Sequence, residues 1–229
     1  MDKVGEYTLE VMKKAKWYNR WLLTLFDKHL KGDILEVGVG IGNFTKLLAE
    51  YGEVTGIDKN KLYIGNYRDG IIKYGHGDIE EGKYFFKKRK FDTIVCLNVL
   101  EHIKDDKRAL GNMYSLLNKN GKLILLVPAH DLLYSKYDKL LGHFRRYNIP
   151  KTESKIRNAG FSIVNSRYIN WWGALGWLFY LKLLNKEEFP EKEVGIFDIL
   201  GKIFLWPEKF IKPPFGLSVL AVARRNKRY

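Results

Sequence analysis

The sequence predicts an α/β fold in which a largely parallel sheet is covered by helices on both faces. Three observations support it: apolar runs of strand length alternate with helical segments, a buried strand enters a glycine-rich turn within residues 34–44, and 46% of the 229 residues are hydrophobic. Strands buried on both faces form uninterrupted apolar runs. The hydrophobic content suits a substantial core rather than a disordered chain. We therefore expect residues 1–229 to form one domain.

Local periodicity defines the individual elements. Apolar residues recur at helical spacing from residue 7 to residue 30, so we assign one or two helices to residues 1–30. Asn120-Gly121 is a turn signal in front of the fifth strand. A polar helix after Pro150 precedes the sixth strand. The predicted strands are residues 33–37, 53–58, 74–77, 91–98, 122–128, 161–168 and 217–223, and predicted helices include 43–51 and 104–117.

A long aromatic-rich insertion, residues 169–216, separates the last two predicted strands. Segments of this length usually hold structure of their own or serve a function. We expect two short amphipathic helices, near residues 173–184 and 195–206. The tryptophans, tyrosine and lysines of residues 169–206 suit peripheral contact with a membrane interface. Two other interpretations stay open, a lid that packs on the sheet and a contact between two copies of the chain.

The formal net charge of +14 admits several partners. A basic surface can meet nucleic acid or an anionic membrane, and it can also be simply a lysine-rich surface. Cys96 is the only cysteine, which excludes internal disulfides. The first residues lack the design of a signal peptide, and no apolar run reaches the roughly 20 residues that a bilayer crossing requires. We expect a cytoplasmic protein, with peripheral membrane contact as the variant.

The glycine-rich turn indicates a ligand site. Glycines at alternate positions let the backbone approach a ligand where a Cβ atom would collide, and free N–H groups of a following helix favour a negatively charged group. A dinucleotide fingerprint, however, needs a third glycine at a position that is Asn43 when counted from Gly38, and Thr45 when counted from Gly40. The turn is therefore not a dinucleotide motif.

The pattern Glu36-x-Gly38-x-Gly40-x-Gly42 resembles the first motif of class I S-adenosylmethionine (SAM)-dependent methyltransferases of the type 11/12 group. This resemblance implies a Rossmann-like seven-stranded class I methyltransferase sheet, with SAM as the cofactor. Asp58 and residues 77–79, 91–103 and 118–128 look like the later motifs of this group. Residues 17–21, 127–130 with 141–147, and 213–216 are similar to a bacterial and archaeal subgroup that often accompanies glycosyltransferases.

Ligands of open parallel sheets bind at the carboxyl ends of the strands. There we expect Asp58 to accept hydrogen bonds from the ribose hydroxyls and Asp78 to bind the adenine amino group, although acidic residues after strands also serve as caps or turn residues. Glu36 is expected to bind the ammonium group of the cofactor. The predicted cofactor-binding residues are Glu36, Gly38, Val39, Gly40, Gly42, Asp58, Asp78, Ile79, Leu97 and Asn98.

His102 follows the fourth predicted strand and is our candidate general base, the alternative being a residue that caps the next helix. In the loop after the fifth strand, two arginines present forks suited to carboxylate or phosphate. We predict a substrate-binding cluster there, with structural ion pairs as the alternative. Its members are His143, Arg145, Arg146 and Tyr147. We predict no metal site.

These features predict a SAM-dependent methyltransferase that acts on oxygen of a small or lipid-linked acceptor with an anionic group. The Asn-Pro-Pro-Tyr type of motif used on nucleic-acid amino groups is absent after the fourth strand, where residues 98–103 stand instead. Residues 100–103 also resemble the quinone group, so an isoprenoid phenol acceptor is the alternative. From a different class, an RNA-binding protein on a methyltransferase platform would explain the charge, but the sequence contains no RNA-binding motif.

Overall fold

The computed structural model describes residues 3–64, 72–179 and 191–226, and its strands form one eight-stranded sheet with the order β4-β3-β2-β1-β5-β6-β8-β7. β1, β2, β3, β5 and β6 run parallel, whereas β8 is antiparallel to both β6 and β7. The predicted α/β architecture is confirmed. The strands are β1 (Ile34–Val37), β2 (Val54–Asp58), β3 (Lys73–Asp78), β4 (Lys83–Tyr84), β5 (Phe91–Leu97), β6 (Leu117–Pro128), β7 (Phe161–Ile169) and β8 (Ser218–Arg225).

The sheet has one strand more than the seven that the sequence predicts. The additional strand is β4, which pairs antiparallel with the end of β3 through Gly77 and Asp78. Gly82, at φ +72°, closes this hairpin by donating its N–H to the Asp78 carbonyl at 2.9 Å. Two residues are too few for a hydrophobic period, so this strand leaves no pattern in the sequence.

Two hydrophobic cores lie on opposite faces of the sheet. Alternate residues of each central strand point to opposite faces, so that Leu123 and Leu125 join one core while Ile124 and Leu126 join the other. Burial on both sides explains the continuous apolar runs. The helices of the described chain are α1 (Lys3–Lys14), α2 (Lys16–Thr24), α3 (Thr45–Leu48), α4 (Lys61–Ile64), α5 (Asp106–Leu116), α6 (Lys136–Leu140), α7 (Ile149–Asn158), α8 (Trp171–Trp177) and α9 (Glu191–Phe204).

The helix expected over residues 43–51 is much shorter than predicted, because α3 covers only Thr45–Leu48. Phe44 at its N-cap supplies no side-chain hydrogen bond. After Leu48 some backbone hydrogen bonds join residues three apart instead of four. The Tyr51 N–H, for example, donates to the Leu48 carbonyl at 3.0 Å. The chain then packs so closely at Gly52 that a Cβ there would lie 2.0 Å from the Gly32 carbonyl oxygen.

The insertion between β7 and β8 contains two helices near the predicted positions: α8 starts two residues before the first predicted helix, and α9 ends two residues before the second one. Residues 180–190, which include the end of the first predicted helix, lie outside the described residues. Ile169 pairs with Ser218, and Ser218 pairs with Pro128 at the end of β6. The insertion therefore leaves and rejoins the sheet at the edge where the parallel strands end. Within the described ranges, every helix is too short or too polar to span a bilayer.

Candidate active site

The glycine-rich turn is locked onto the end of β2. Gly38, Gly40 and Gly42 have φ values of +79°, +53° and +78°, a region that L side chains rarely adopt. The N–H groups of Gly38 and Val39 both point to the Ile57 carbonyl, at 2.8 and 3.3 Å. A Cβ on Gly38 would lie 2.3 Å from a methyl of Val99. Glycine is strongly favoured at these positions, and the turn forms a narrow backbone cradle.

Asp58 lies at the end of β2 and orders this turn. Its Oδ2 accepts the Gly40 N–H at 2.8 Å, and its Oδ1 accepts the Asn60 N–H at 2.7 Å. Burial raises the pKa of the carboxyl above its ordinary value, although both amide bonds oppose that shift. A carboxylate has about four acceptor sites, so each oxygen keeps a direction in which a ribose hydroxyl could donate.

Glu36 is a buried carboxyl beside the same turn. Among the described residues its Oε2 has no hydrogen-bond partner. Burial raises the pKa of Glu36 to about 8; the nearby Thr45 hydroxyl offsets part of this shift and the Asp58 carboxylate adds to it. A buried acceptor of this kind favours a cationic donor. The residues present therefore fit SAM, whose ammonium group would supply the missing donor.

Asp78 is the last residue of β3 and Ile79 follows it, on the side of β2 away from Glu36. The Asp78 Oδ1 accepts the N–H groups of Glu80 and Glu81 at 2.8 and 3.1 Å, while its Oδ2 lies 3.0 Å from the Lys59 ammonium. Burial alone would raise the pKa of Asp78, but Lys59 and the two amides bring it below its ordinary value. Binding of adenine by Asp78 and Ile79 stays a prediction, and an amino group would share Oδ2 with Lys59.

Binding of a negatively charged group by free N–H groups of the following helix stays a prediction, and the glycine amides would not contribute to it. The amide groups of Gly38, Gly40 and Gly42 are not free for an anionic ligand group, because each is bonded within the protein. In addition, the following helix α3 has only four residues, and a helix so short has little dipole. The site next to the glycines is better suited to uncharged and cationic parts of a ligand.

The end of β5 forms the side of the candidate cofactor site that lies across β1 from Asp58. Leu97 is partly buried against the second core, and the chain then turns at Asn98, which has φ +52° and donates its N–H to the Leu126 carbonyl at 2.9 Å. The Asn98 side chain is exposed at the carboxyl edge of the sheet. Both residues thus lie at the edge expected for the methionine part of the cofactor, and their contact with it stays a prediction.

His102 lies one short turn after β5 and contacts His143, with ring centroids 4.6 Å apart at 81°. The residue is exposed, yet desolvation of its ring, followed by the effect of His143, lowers the pKa of the imidazole well below its usual value. It is therefore neutral near pH 7. Its neighbour Glu101 is buried, and burial raises the pKa of that carboxyl to about 7.

The structure assembles a side-chain cluster that the sequence analysis did not predict. Ligand atoms of Glu101, His102 and His143 lie within 4.8 Å of one another, a donor set that could hold a divalent metal. The His143 Nδ1 is bonded to the Asp138 Oδ1 at 2.8 Å, which leaves Nε2 for this cluster. We predicted no metal site, because only the tertiary fold brings His143 to His102.

Arg146 is a buried partner of Asp138 in this structure. Its Nε and Nη2 donate to the two Asp138 oxygens at 2.9 and 3.1 Å, its Nη1 donates to the Ala129 carbonyl at 3.1 Å, and its guanidinium stacks on Trp177. The pKa of Asp138 is lowered to about 2, because hydrogen bonds from His143 and Arg146 outweigh the effect of burial.

Asp106 likewise forms a hydrogen bond and ion pairs with several neighbours. Its carboxylate accepts the Tyr147 hydroxyl at 3.0 Å and lies 3.0 Å from Arg145 and 2.8 Å from Lys155. Arg145 also donates to the carbonyls of Ile103 and Lys104. These contacts favour the structural ion-pair alternative for Arg145, Arg146 and Tyr147, and substrate binding by them stays a prediction. His143 keeps an open ring nitrogen toward His102.

Sequence reasoning missed the three carboxylates that organise this region, Glu101, Asp106 and Asp138. A signal existed for one of them. Ser135 and Asp138 have the spacing of a capping box, and the Asp138 Oδ2 accepts the Ser135 N–H and hydroxyl at 2.9 and 3.0 Å. The burial of the other two depends on the packing of the loop over the sheet.

Comparisons with known proteins agree with this geometry. A profile of the methyltransferase domain family matches residues 12–175. The chain is 34% identical over 110 residues to the ubiquinone biosynthesis O-methyltransferase of Coxiella burnetii, covering 44% of each protein. It is 26% identical over 155 residues to an uncharacterized protein of Methanocaldococcus jannaschii, covering 65% of this chain and 63% of that protein. The chain thus matches less than half the length of the Coxiella relative.

Solved structures share the fold. A Haloferax volcanii protein, solved in complex with the Trm112 methyltransferase activator, superposes with a TM-score of 0.67 at 13% identity over 99% of both chains. The N-methyltransferase NodS of Bradyrhizobium japonicum, solved with S-adenosyl-L-homocysteine, has a TM-score of 0.55 at 18% identity, over 92% of this chain and 86% of that one. The profile spans most of the chain, and the glycine cradle with Glu36 and Asp58 fits the cofactor. The chain therefore belongs to the class I SAM-dependent methyltransferase family.

Proposed function

We propose that the protein transfers a methyl group from SAM to an oxygen atom of a small or lipid-linked acceptor, with His102 as the general base. The observation that carries the proposal is the position of the His102 imidazole at the carboxyl edge of the sheet, one short turn after β5 and against His143. A base must lie near the acceptor oxygen, and this edge is where ligands of such sheets bind.

The cofactor supplies a methyl group already activated on a sulfonium, so the protein has mainly to position it and to remove one proton. In the proposal, Glu36 binds the ammonium group and Asp58 binds the ribose hydroxyls. The glycine cradle at Gly38, Val39, Gly40 and Gly42 contributes its backbone surface. Asp78 and Ile79 are assigned to adenine, and Leu97 and Asn98 to the methionine part. These residues would hold SAM at the carboxyl edge of the sheet, where the loop that carries His102 also lies.

The lowered pKa of His102 means that its ring would hold the acceptor proton only briefly. In the proposal His102 would accept the hydroxyl proton of the acceptor, while SAM would supply the methyl group from its sulfonium. Glu101, with a pKa of about 7, and His143, which is bonded to Asp138, lie against that ring. A negatively charged neighbour stabilises an imidazolium. Because His102 is exposed, the proton can leave to solvent after transfer.

An isoprenoid phenol or quinone precursor is the second candidate acceptor. It is supported by the Coxiella relative, named an O-methyltransferase of ubiquinone biosynthesis, and by the resemblance of residues 100–103 to the quinone group. The anionic group proposed for the acceptor is supported by the net charge of +14. The two arginines support it less, because carboxylates of the protein already occupy them.

The acceptor class can be identified by incubating the protein and methyl-labelled SAM with host extract separated into lipid, saccharide, RNA and small-molecule pools. We expect label in the lipid or small-molecule pool, in a product resistant to treatments that cleave methyl esters of carboxylates. Label confined to the RNA pool would contradict the proposal and favour the nucleic-acid alternative.

His102→Ala should lower kcat by a factor of about 10² to 10⁴, the usual contribution of a positioned general base. SAM affinity, measured by calorimetry, should be unchanged. The matched control is His29→Ala, because His29 lies away from the carboxyl edge and its ring contacts Lys122. If His102→Ala retains full turnover while binding SAM, another group removes the proton.

A further inference from the structure

We propose that residues 202–215, here called the exposed ridge, form a docking surface for an anionic lipid membrane. The inference goes beyond the proposed function and does not depend on the chemistry of the acceptor. A run of exposed large apolar side chains supports it, together with the anchoring and the charge of this segment.

The ridge exposes large apolar side chains in sequence. Ile203 is 69% exposed, Trp206 56%, Phe210 74% and Ile211 64%. Trp206 and Phe210 contact each other edge to face, with ring centroids 5.2 Å apart. Contiguous apolar exposure on this scale marks an interaction surface. Tryptophan beside aliphatic residues is typical of segments that lie in the membrane interface.

Buried polar contacts hold the ridge to the body of the protein. Arg167 on β7 donates to the carbonyls of Glu208 and Ile211, the latter at 2.8 Å. The buried Glu208 carboxylate accepts the N–H groups of Asn170 and Trp171 at 2.8 and 2.9 Å. The exposed side chains therefore project from a backbone that is already ordered in the folded protein. Docking does not have to order this backbone.

The charge of the ridge selects an anionic partner. Residues 200–216 contain three lysines and one acidic residue. Lys202, Lys209 and Lys212 are exposed, whereas Glu208 is buried. The ridge thus presents only positive formal charge to solvent, and lysines next to aromatic residues are attracted by anionic head groups. A second copy of the chain is a poorer partner, since it would bring the same lysines against these.

The position of the ridge connects it to the active site. The insertion that carries it leaves the sheet at Ile169 and returns at Ser218, both paired at the edge where β6 ends. Exposed apolar residues also occur in the loop after β6, at Leu132 and Phe144. Docking on a membrane would therefore bring the carboxyl edge of the sheet, with His102, near the lipid surface.

The test is co-sedimentation of the full chain with vesicles of phosphatidylglycerol and phosphatidylcholine, compared with vesicles of phosphatidylcholine alone. We expect binding to the anionic vesicles that weakens with added salt. Trp206→Ala with Phe210→Ala, and separately Lys202→Glu with Lys209→Glu, should each weaken binding at least about tenfold. Matched controls are Val164→Ala, an exposed apolar residue on β7, and Lys87→Glu with Lys88→Glu, two exposed lysines elsewhere.

The proposal fails if the ridge variants bind as well as the controls, or if neutral and anionic vesicles are bound alike. It also fails if sedimentation velocity shows a dimer that dissociates on Trp206→Ala with Phe210→Ala, because the ridge would then join two copies. Far-UV circular dichroism of each variant excludes misfolding, and the two independent pairs of substitutions guard against loss through one unstable variant. None of these three outcomes bears on methyl transfer to soluble acceptors.

Discussion

At the scale of single residues, the cofactor site depends on two carboxyls with different surroundings. Asp58 accepts two amide hydrogen bonds and keeps the glycine turn in place, whereas one oxygen of Glu36 lacks a donor among the described residues. Burial raises the pKa of both carboxyls, and the Asp58 carboxylate raises the pKa of Glu36 further. The pKa of Glu36 is about 8, so this group changes its charge near neutral pH. Its ionisation is therefore linked to binding of a cation.

We expect the affinity for SAM to rise with pH between about pH 6 and about pH 7.5, by up to roughly tenfold per unit. The sign follows from the raised pKa of about 8: without ligand Glu36 is mostly protonated in this range, and binding of the ammonium group requires the carboxylate. Calorimetry at several pH values measures this slope.

The control is Glu36→Gln, which should bind SAM more weakly at the upper end of this range and show little dependence on pH. A wild-type affinity that stays flat, parallel to that of the variant, would show that Glu36 does not meet the ammonium group.

At the scale of elements, the loop after β6 is held by internal ion pairs. Residues 129–147 are tied down through Asp138, which pairs with Arg146, and through Asp106, which pairs with Arg145. Arg146 and Asp138 are both almost fully buried, whereas Arg145 is partly exposed. Breaking a buried pair leaves a buried charge without compensation. The two arginines should therefore differ in their effect on stability.

Arg146→Ala should lower the free energy of unfolding by about 3–5 kcal/mol, because Asp138 would lose its main cation. Arg145→Ala, the matched control, should cost at most roughly 2 kcal/mol, since its bonds lie near solvent. Urea unfolding measures both. If Arg146→Ala is as stable as wild type but loses turnover, the arginine serves the substrate, as the sequence analysis predicted.

At the scale of the whole molecule, the N-terminal helices and the insertion form one face of the protein. Trp21 of α2 is buried in the second core and donates its indole N–H to the Leu205 carbonyl at 3.0 Å. Asp198 of α9 accepts the N–H groups of Trp17 and Tyr18. Helices from the start of the chain therefore support the ridge that follows α9, although the sequence separates them widely.

Trp21→Phe should destabilise the protein by about 1–3 kcal/mol, because the Leu205 carbonyl would lose its donor in the core. Hydrogen exchange should quicken at the amides of residues 204–211. Trp206→Phe is the matched control and should change stability by no more than about 0.5 kcal/mol, since Trp206 is exposed. Equal effects of the two substitutions would mean that the hydrogen bond from the Trp21 indole does not contribute to stability.

Most of the fold was predictable from the sequence, because the longer strands and helices carry a local signal. The apolar runs gave the seven long strands to within a few residues, except that β6 begins at Leu117 rather than at residue 122. The two-residue strand β4 has no period, and the tightening after Leu48 that ends α3 depends on packing at Gly52. Both errors lie where long-range contacts override local preference.

The sequence by itself determined the α/β fold, the glycine turn and the carboxyl edge at which Glu36, Asp58 and His102 lie, because strand periodicity and the positions of glycine are local properties. Only the tertiary structure decided the partners of the charged residues. Arg146 could have faced a substrate or a carboxylate, and packing of the loop against the sheet paired it with Asp138. It likewise brought His143 to His102 and left the exposed ridge uncovered. Pairing and exposure are properties of the packed chain, since they depend on residues that are distant in sequence.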